Sequence, residues 1–129
     1  MSKVDVVKEW FYLAETDLKS AIFLKGMSPI PVEIICYHCQ QSSEKYLKGF
    51  LAFHDEKIVK THDLIVLNNL CKKFNSEFIK IEDFCLRLTD YSTNIRYLAT
   101  LDITQNDMEL AIIDATKIQE FILKFDFNF

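Results

Sequence analysis

Four polar side chains recur at helical spacing in a stretch that is otherwise rich in apolar residues. They are Gln41, Glu44, Lys45 and Lys48. At 3.6 residues per turn they share one face of a helix. Two ammonium groups beside an amide and a carboxylate can bind a phosphate, but Glu44 and Lys48 at this spacing also form an ordinary surface ion pair. The face is therefore either a binding site or a solvated surface.

A second polar group, Thr61-His62-Asp63, comes directly before an apolar run that begins at Leu64. Threonine is a favourable N-cap, and the helix dipole favours an anion such as Asp63 in the first turn. The free backbone N–H groups of such a terminus can bind an anionic ligand. His62 would lie at this terminus, in either a structural or a binding role.

The third group is the pair Arg96-Tyr97. The arginine offers a planar fork of N–H donors for phosphate, and the tyrosine ring can stack on a nucleobase. Alternatively, Arg96 pairs with Asp17 or Glu44 across a helical bundle and fixes the register of the helices.

Known catalytic and metal-binding patterns do not occur in the sequence. There is no Gly-rich phosphate loop, G-x-S-x-G or H-E-x-x-H, and the only histidines are His38, His54 and His62. The four cysteines, Cys36, Cys39, Cys71 and Cys85, are a formal zinc tetrad, but their spacing favours buried thiols. We therefore expect no catalytic residue, no metal and no cofactor.

The charge and hydropathy of the chain exclude two broad classes of protein. A net charge of −4 and a pI of about 5.3 do not attract polyanions, which excludes a general DNA-binding protein. No apolar stretch approaches the roughly 20 residues of a membrane span, and no leader peptide opens the sequence. We expect a cytoplasmic protein.

The apolar residues recur at helical spacing, and two glycines and two prolines leave little material for hairpins. These patterns predict an all-α fold. The predicted helices cover about 4–25, 32–54, 61–74, 78–97 and 104–125, with Gly26 ending the first and Thr61 and Thr104 capping the third and last. Short connections predict antiparallel neighbours in a bundle. With 11 phenylalanines, apolar surface remains for a dimer interface.

Taken in order along the chain, these segments resemble the HEPN family, named for nucleotide binding in higher eukaryotes and prokaryotes. The matching pieces are Trp10 with Ala14-Glu15-Thr16-Asp17-Leu18 and Ala21, Gln41-Ser42-Ser43-Glu44-Lys45-Tyr46-Leu47-Lys48, Lys60-Thr61-His62-Asp63-Leu64, and Tyr91 with Arg96-Tyr97. Any one of these pieces is weak, whereas the ordered set is specific.

The resemblance implies an up-and-down four-helix bundle with one additional short helix, forming a single HEPN-like domain over residues 1–129. It implies a homodimer that acts beside a separately encoded minimal nucleotidyltransferase. It also implies that seven residues lie near a cleft suited to a nucleotide or an RNA phosphate: Gln41, Glu44, Lys45, Lys48, His62, Arg96 and Tyr97.

RNA-cleaving relatives in this family resemble one another in an arginine followed four to six residues later by a histidine. This chain departs from that pattern, because no histidine follows His62. The expected function is therefore a non-catalytic module that binds nucleotide, RNA phosphate or a partner protein. Two alternatives remain: a ribonuclease or toxin-like component that uses His62 or His38 as its base, and a structural partner protein in which the polar stripe is an internal ion-pair network.

Overall fold

The computed structural model describes residues 1–57, 60–92 and 95–129, without the side chains of Ile95 and Arg96. The described chain is helical, which confirms the predicted all-α fold class. Its α-helices are α1 (Lys3–Leu24), α2 (Val32–Phe53), α3 (Leu64–Lys72), α4 (Glu82–Leu88), α5 (Ile95–Leu98) and α6 (Gln105–Leu123), with 3₁₀ segments at Ser76–Ile81 and Thr89–Ser92. The first two helices and the last agree closely with the predicted ranges.

Helices α1 and α2 form the central antiparallel pair. The hydroxyl of Ser42 donates to the carbonyl of Ala14 at 2.7 Å, which joins the two helices through a buried contact. Gly49 allows the close approach further along, because a Cβ atom at this position would lie 2.5 Å from Cε1 of Phe11.

Helix α3 runs parallel to α2, which differs from the expectation that consecutive helices are antiparallel. Gln40 donates to the carbonyl of His62 at the start of α3. Further along, Cys71 donates to the carbonyl of Leu47. The start of α3 therefore lies beside the middle of α2 and not beside its C-terminal end. With α3 as the additional short helix, four elements still alternate in direction, as in the predicted bundle: α1, α2, the segment 76–92 that contains α4, and α6.

The predicted fourth helix over 78–97 is wrong as a single element. The chain forms instead the 3₁₀ segment Ser76–Ile81, α4, the 3₁₀ segment Thr89–Ser92 and α5. The sequence from Thr89 to Asn94 is rich in short polar residues, which compete with helical hydrogen bonds through their side chains. In particular, the hydroxyl of Thr89 accepts from the backbone N–H of Leu64 and holds this segment against α3.

The helix ends were predicted with mixed success. Thr104 and Asp107 form the expected capping box at the start of α6. Thr61 is not the N-cap of α3, because Asp63 accepts hydrogen bonds from the N–H groups of Ile65 and Val66. Gly26 follows the end of α1 but does not adopt the left-handed conformation of a glycine C-cap.

Aromatic side chains fill one end of the bundle core. Phe50 packs against both Phe78 and Phe125, which stack on each other, and the buried Phe127 packs edge-on against Phe11. The C-terminal tail is therefore packed rather than frayed at Phe127. None of the helices in the described residues combines the length and hydropathy of a bilayer-spanning segment.

Candidate functional site

The buried carboxylate of Glu44 is the centre of the first polar cluster. Lys48 donates to its Oε2 at 2.9 Å, and Nδ1 of His62 lies 2.9 Å from its Oε1. Gln40 donates to the same Oε1 at 3.3 Å and to the carbonyl of His62 at 2.9 Å. The side chain of Glu44 is only 5% exposed, whereas that of His62 is 67% exposed. The cluster thus extends from the core to an exposed imidazole.

A second cluster repeats this pattern on the side that faces α1. Asp17 of α1 accepts from Lys45, and its Oδ1 lies 3.0 Å from Nδ1 of His38. Burial acts to raise the pKa of Asp17, but the hydrogen bonds from His38 and Lys45 outweigh burial and lower this pKa below the usual 3.8. Each carboxylate is therefore held between one lysine and one histidine.

The predicted stripe on α2 divides between these two clusters. Glu44 and Lys48 belong to the first, Lys45 belongs to the second, and Gln41 donates to the side-chain oxygen of Gln40 at 2.7 Å. Both lysines are already paired with a carboxylate in a largely buried setting. A phosphate at either ammonium group would have to compete with that carboxylate, so the stripe is not a simple solvated face.

The N-terminus of α3 does not offer the free N–H groups expected for an anion site. Asp63 accepts from the N–H groups of Ile65 and Val66, and Thr89 accepts from that of Leu64. The prediction that a ligand binds these N–H groups is wrong because side chains of the protein already satisfy them.

An open depression of about 580 Å³ lies beside this helix start. Its lining residues are Asp63, Thr89, Asp90, Ser92, Tyr97 and Leu101. The ring of Tyr97 is 55% exposed and is accessible to a ligand. The side chain of Arg96 lies outside the described part of the structure, so its placement beside Tyr97 stays a prediction.

The four cysteines are buried free thiols. Burial raises the pKa of Cys36 and Cys85 to about 12 and raises the pKa of Cys39 and Cys71 as well. Such thiols are protonated at neutral pH and are therefore poor nucleophiles. Within residues 1–57, 60–92 and 95–129, no group of three or more histidine, cysteine or acidic side chains is arranged to hold a metal ion.

The sequence analysis missed two contributors. Gln40 is fully buried and joins Glu44 to the backbone of His62, and its spacing of four residues from Glu44 already placed it on the same face. Asp90 was missed because the predicted single helix over 78–97 gave no reason to place it in one depression with Asp63 and Tyr97.

Comparison with known proteins agrees with this fold. The HEPN domain family matches residues 7–125, nearly the whole chain, and the chain therefore belongs to the HEPN family. Among solved structures, it is similar to ST0689, described as an archaeal HEPN homologue. The TM-score is 0.68 at 24% identity, over 92% of this chain and 95% of that chain, which supports the shared fold. No curated protein matches significantly.

Proposed function

We propose that this protein is a non-catalytic HEPN module that binds a nucleotide or a single-stranded RNA segment at the face formed by His62 and Tyr97. One observation carries the proposal: a buried carboxylate fixes the exposed imidazole of His62, and the next residue in the chain, Asp63, lines a depression that presents an accessible tyrosine ring. The imidazole suits a phosphate or sugar hydroxyl, and the ring suits a base.

In this proposal the other predicted site residues have distinct roles. Glu44, Lys48 and Gln41 belong to the hydrogen-bonded network that orients His62, and Lys45 anchors α2 to α1. Arg96 is proposed as the phosphate contact on the basis of its sequence position beside Tyr97. The lysines thus support the site instead of neutralising the ligand directly.

Calorimetric titration with ATP, GTP and a short single-stranded RNA tests the proposal. We expect the wild-type protein to bind at least one of them, and Tyr97→Ala to weaken binding by about tenfold because stacking on an aromatic ring contributes about 1–3 kcal/mol per base. His62→Ala and Arg96→Ala should also weaken binding. Tyr12→Ala is the matched control, because Tyr12 is also an exposed tyrosine and lies on α1. An absence of heat with all three ligands would remove the nucleotide claim.

Two further parts of the proposal concern partners. We propose a cytoplasmic homodimer that acts with a separately encoded minimal nucleotidyltransferase, as the HEPN resemblance implies. The exposed apolar residues on α1, among them Tyr12, Leu13 and Phe23, support a protein partner. Co-purification with the product of a neighbouring nucleotidyltransferase gene tests the proposed nucleotidyltransferase partner. Separate elution of the two proteins at micromolar concentration would contradict this partnership.

One observation favours a second candidate, RNA cleavage with His62 as the general base. Because the Glu44 carboxylate only accepts, the Nδ1 atom of His62 carries the proton and Nε2 can take one from a ribose hydroxyl. A labelled-RNA assay tests this candidate with His38→Ala as the matched control, since His38 is also held by a carboxylate. Cleavage that is lost in His62→Ala and kept in His38→Ala would favour the ribonuclease. No cleavage by the wild type would favour the binding module.

A further inference from the structure

Two of the six residues that line the depression at Tyr97 are aspartates. The Oδ1 atom of Asp63 caps α3, while its Oδ2 makes no hydrogen bond with the described residues. The carboxylate of Asp90 is exposed and likewise makes no hydrogen bond within the described part of the chain. Two carboxylates, an aromatic ring and the apolar Leu101 therefore share one open cavity of about 580 Å³.

These groups discriminate between the parts of a nucleotide. Carboxylates are acceptors only and repel a phosphate, so the phosphate of a bound nucleotide is excluded from this depression. A base stacked on Tyr97 fits the depression if the edge that faces the carboxylates carries hydrogen-bond donors. RNA-binding proteins commonly read the Watson–Crick edge of an unstacked base in this way.

We infer that the depression selects guanine, with the base on Tyr97 and its N1–H and N2–H₂ groups donating to Asp90. Guanine presents two adjacent donors on its Watson–Crick edge, which matches the two oxygens of one carboxylate. Adenine and cytosine place a ring acceptor next to their amino group, and uracil places carbonyl oxygens there, so each would turn an acceptor toward a carboxylate. This inference rests on the proposed nucleotide-binding function and names the ligand of the same site.

Nucleotide titration with a matched pair of variants tests the inference. Wild-type protein, Asp90→Asn and Asp83→Asn are titrated with GMP, IMP, AMP and UMP in the presence of EDTA, which removes cations that could bridge a carboxylate and a phosphate. Asp83 is an exposed aspartate of α4 outside the depression, so Asp83→Asn controls for the change in net charge. Thermal unfolding of each variant verifies that it is folded.

We expect wild type and Asp83→Asn to bind GMP about tenfold or more tightly than IMP, which lacks the N2 amino group, and than AMP or UMP. Asp90→Asn should bind GMP and IMP equally. Equal affinity of the wild type for all four nucleotides would overturn the guanine inference and leave the proposed function intact. A GMP preference that survives in Asp90→Asn would likewise overturn the guanine inference and leave the proposed function intact. If none of the four nucleotides binds the wild-type protein, this inference fails, and the separate titration with ATP, GTP and single-stranded RNA decides the proposed function.

Discussion

At the scale of single residues, the two carboxylates Glu44 and Asp17 share one chemical environment. Each accepts from one lysine and lies within hydrogen-bonding distance of one histidine. A charge this far from water needs such partners, because an unpaired buried charge costs several kcal/mol. The pairs therefore fix how α2 sits against α1 and against the start of α3, whatever ligand the protein binds.

Removal of Lys45 should destabilise the fold. In Lys45→Met the carboxylate of Asp17 keeps only His38, and we expect a loss of about 2 kcal/mol in the free energy of unfolding. Lys80→Met is the control, because the Lys80–Glu77 pair is exposed and should contribute less than about 0.5 kcal/mol. Urea denaturation measures both. Equal stability of the two variants would contradict a structural role for Lys45.

The lowered pKa of Asp17 makes a prediction about pH. A carboxylate whose pKa is lower in the folded state stabilises the protein above its unfolded pKa, and this contribution is lost as the pH falls through the folded pKa. Asp17→Asn should therefore be less stable than wild type at pH 7, and the difference should narrow below about pH 4.

Urea denaturation at a series of pH values from 7 to 3 tests this dependence. Glu120→Gln provides the control, since Glu120 is exposed and forms no ion pair within the described residues. A stability difference between wild type and Asp17→Asn that stays constant down to pH 3 would show that Asp17 does not act through its charge.

At the scale of helices, the contact between α1 and α2 depends on Gly49. Gly49→Ala would place a methyl group 2.5 Å from the ring of Phe11, so we expect a loss of about 1–3 kcal/mol. Gly26→Ala is the matched control, because its Cβ atom would lie 3.6 Å from the nearest atom and its φ is negative. That variant should be neutral or slightly stabilised. Thermal unfolding compares the two, and equal effects would refute the close approach at Gly49.

The periodicity of apolar residues was sufficient to predict α1, α2 and α6 because each is long and buries one continuous face. Periodicity failed over 78–97, because Leu88 and Tyr91 keep helical spacing although the chain does not form one helix there. The side chain of Thr89 holds this segment against α3 instead. The direction of α3 was also unpredictable from connection length. The start of α3 is held beside the middle of α2 by the tertiary contact of Gln40 with His62.

The sequence predicted some of the contacts between the polar side chains of the candidate site and missed others. Sequence spacing correctly placed Glu44 and Lys48 together, and it did not show that His62 is their partner, since that contact joins residues 18 apart in the chain. Sequence spacing also did not show that Lys45 and Lys48 pair with different carboxylates. Both lysines lie on one face of α2, and only the packing of α1 brings Asp17 to Lys45.

At the scale of the whole molecule, the outer surface of α1 is the strongest support for self-association. Phe23 is 82% exposed, and Tyr12, Leu13 and Ile22 are exposed on the same helix. Such surface is typical of an interface. We expect a dimer by sedimentation, and Phe23→Lys should weaken it by at least about tenfold. Ile79→Lys, at an exposed residue of the Ser76–Ile81 segment, should leave it unchanged. A wild-type monomer at all concentrations would contradict the dimer.

The most direct measurement of the proposed site is an NMR titration of its two exposed rings. The ring resonances of His62 and Tyr97 are followed as GMP and then a short guanine-containing RNA are added, with His38 and Tyr12 as internal references on the same molecule. Binding at the proposed face predicts saturable shifts of His62 and Tyr97 and unchanged signals of His38 and Tyr12. Unchanged His62 and Tyr97 signals at saturating ligand, or shifts confined to His38 and Tyr12, would contradict it.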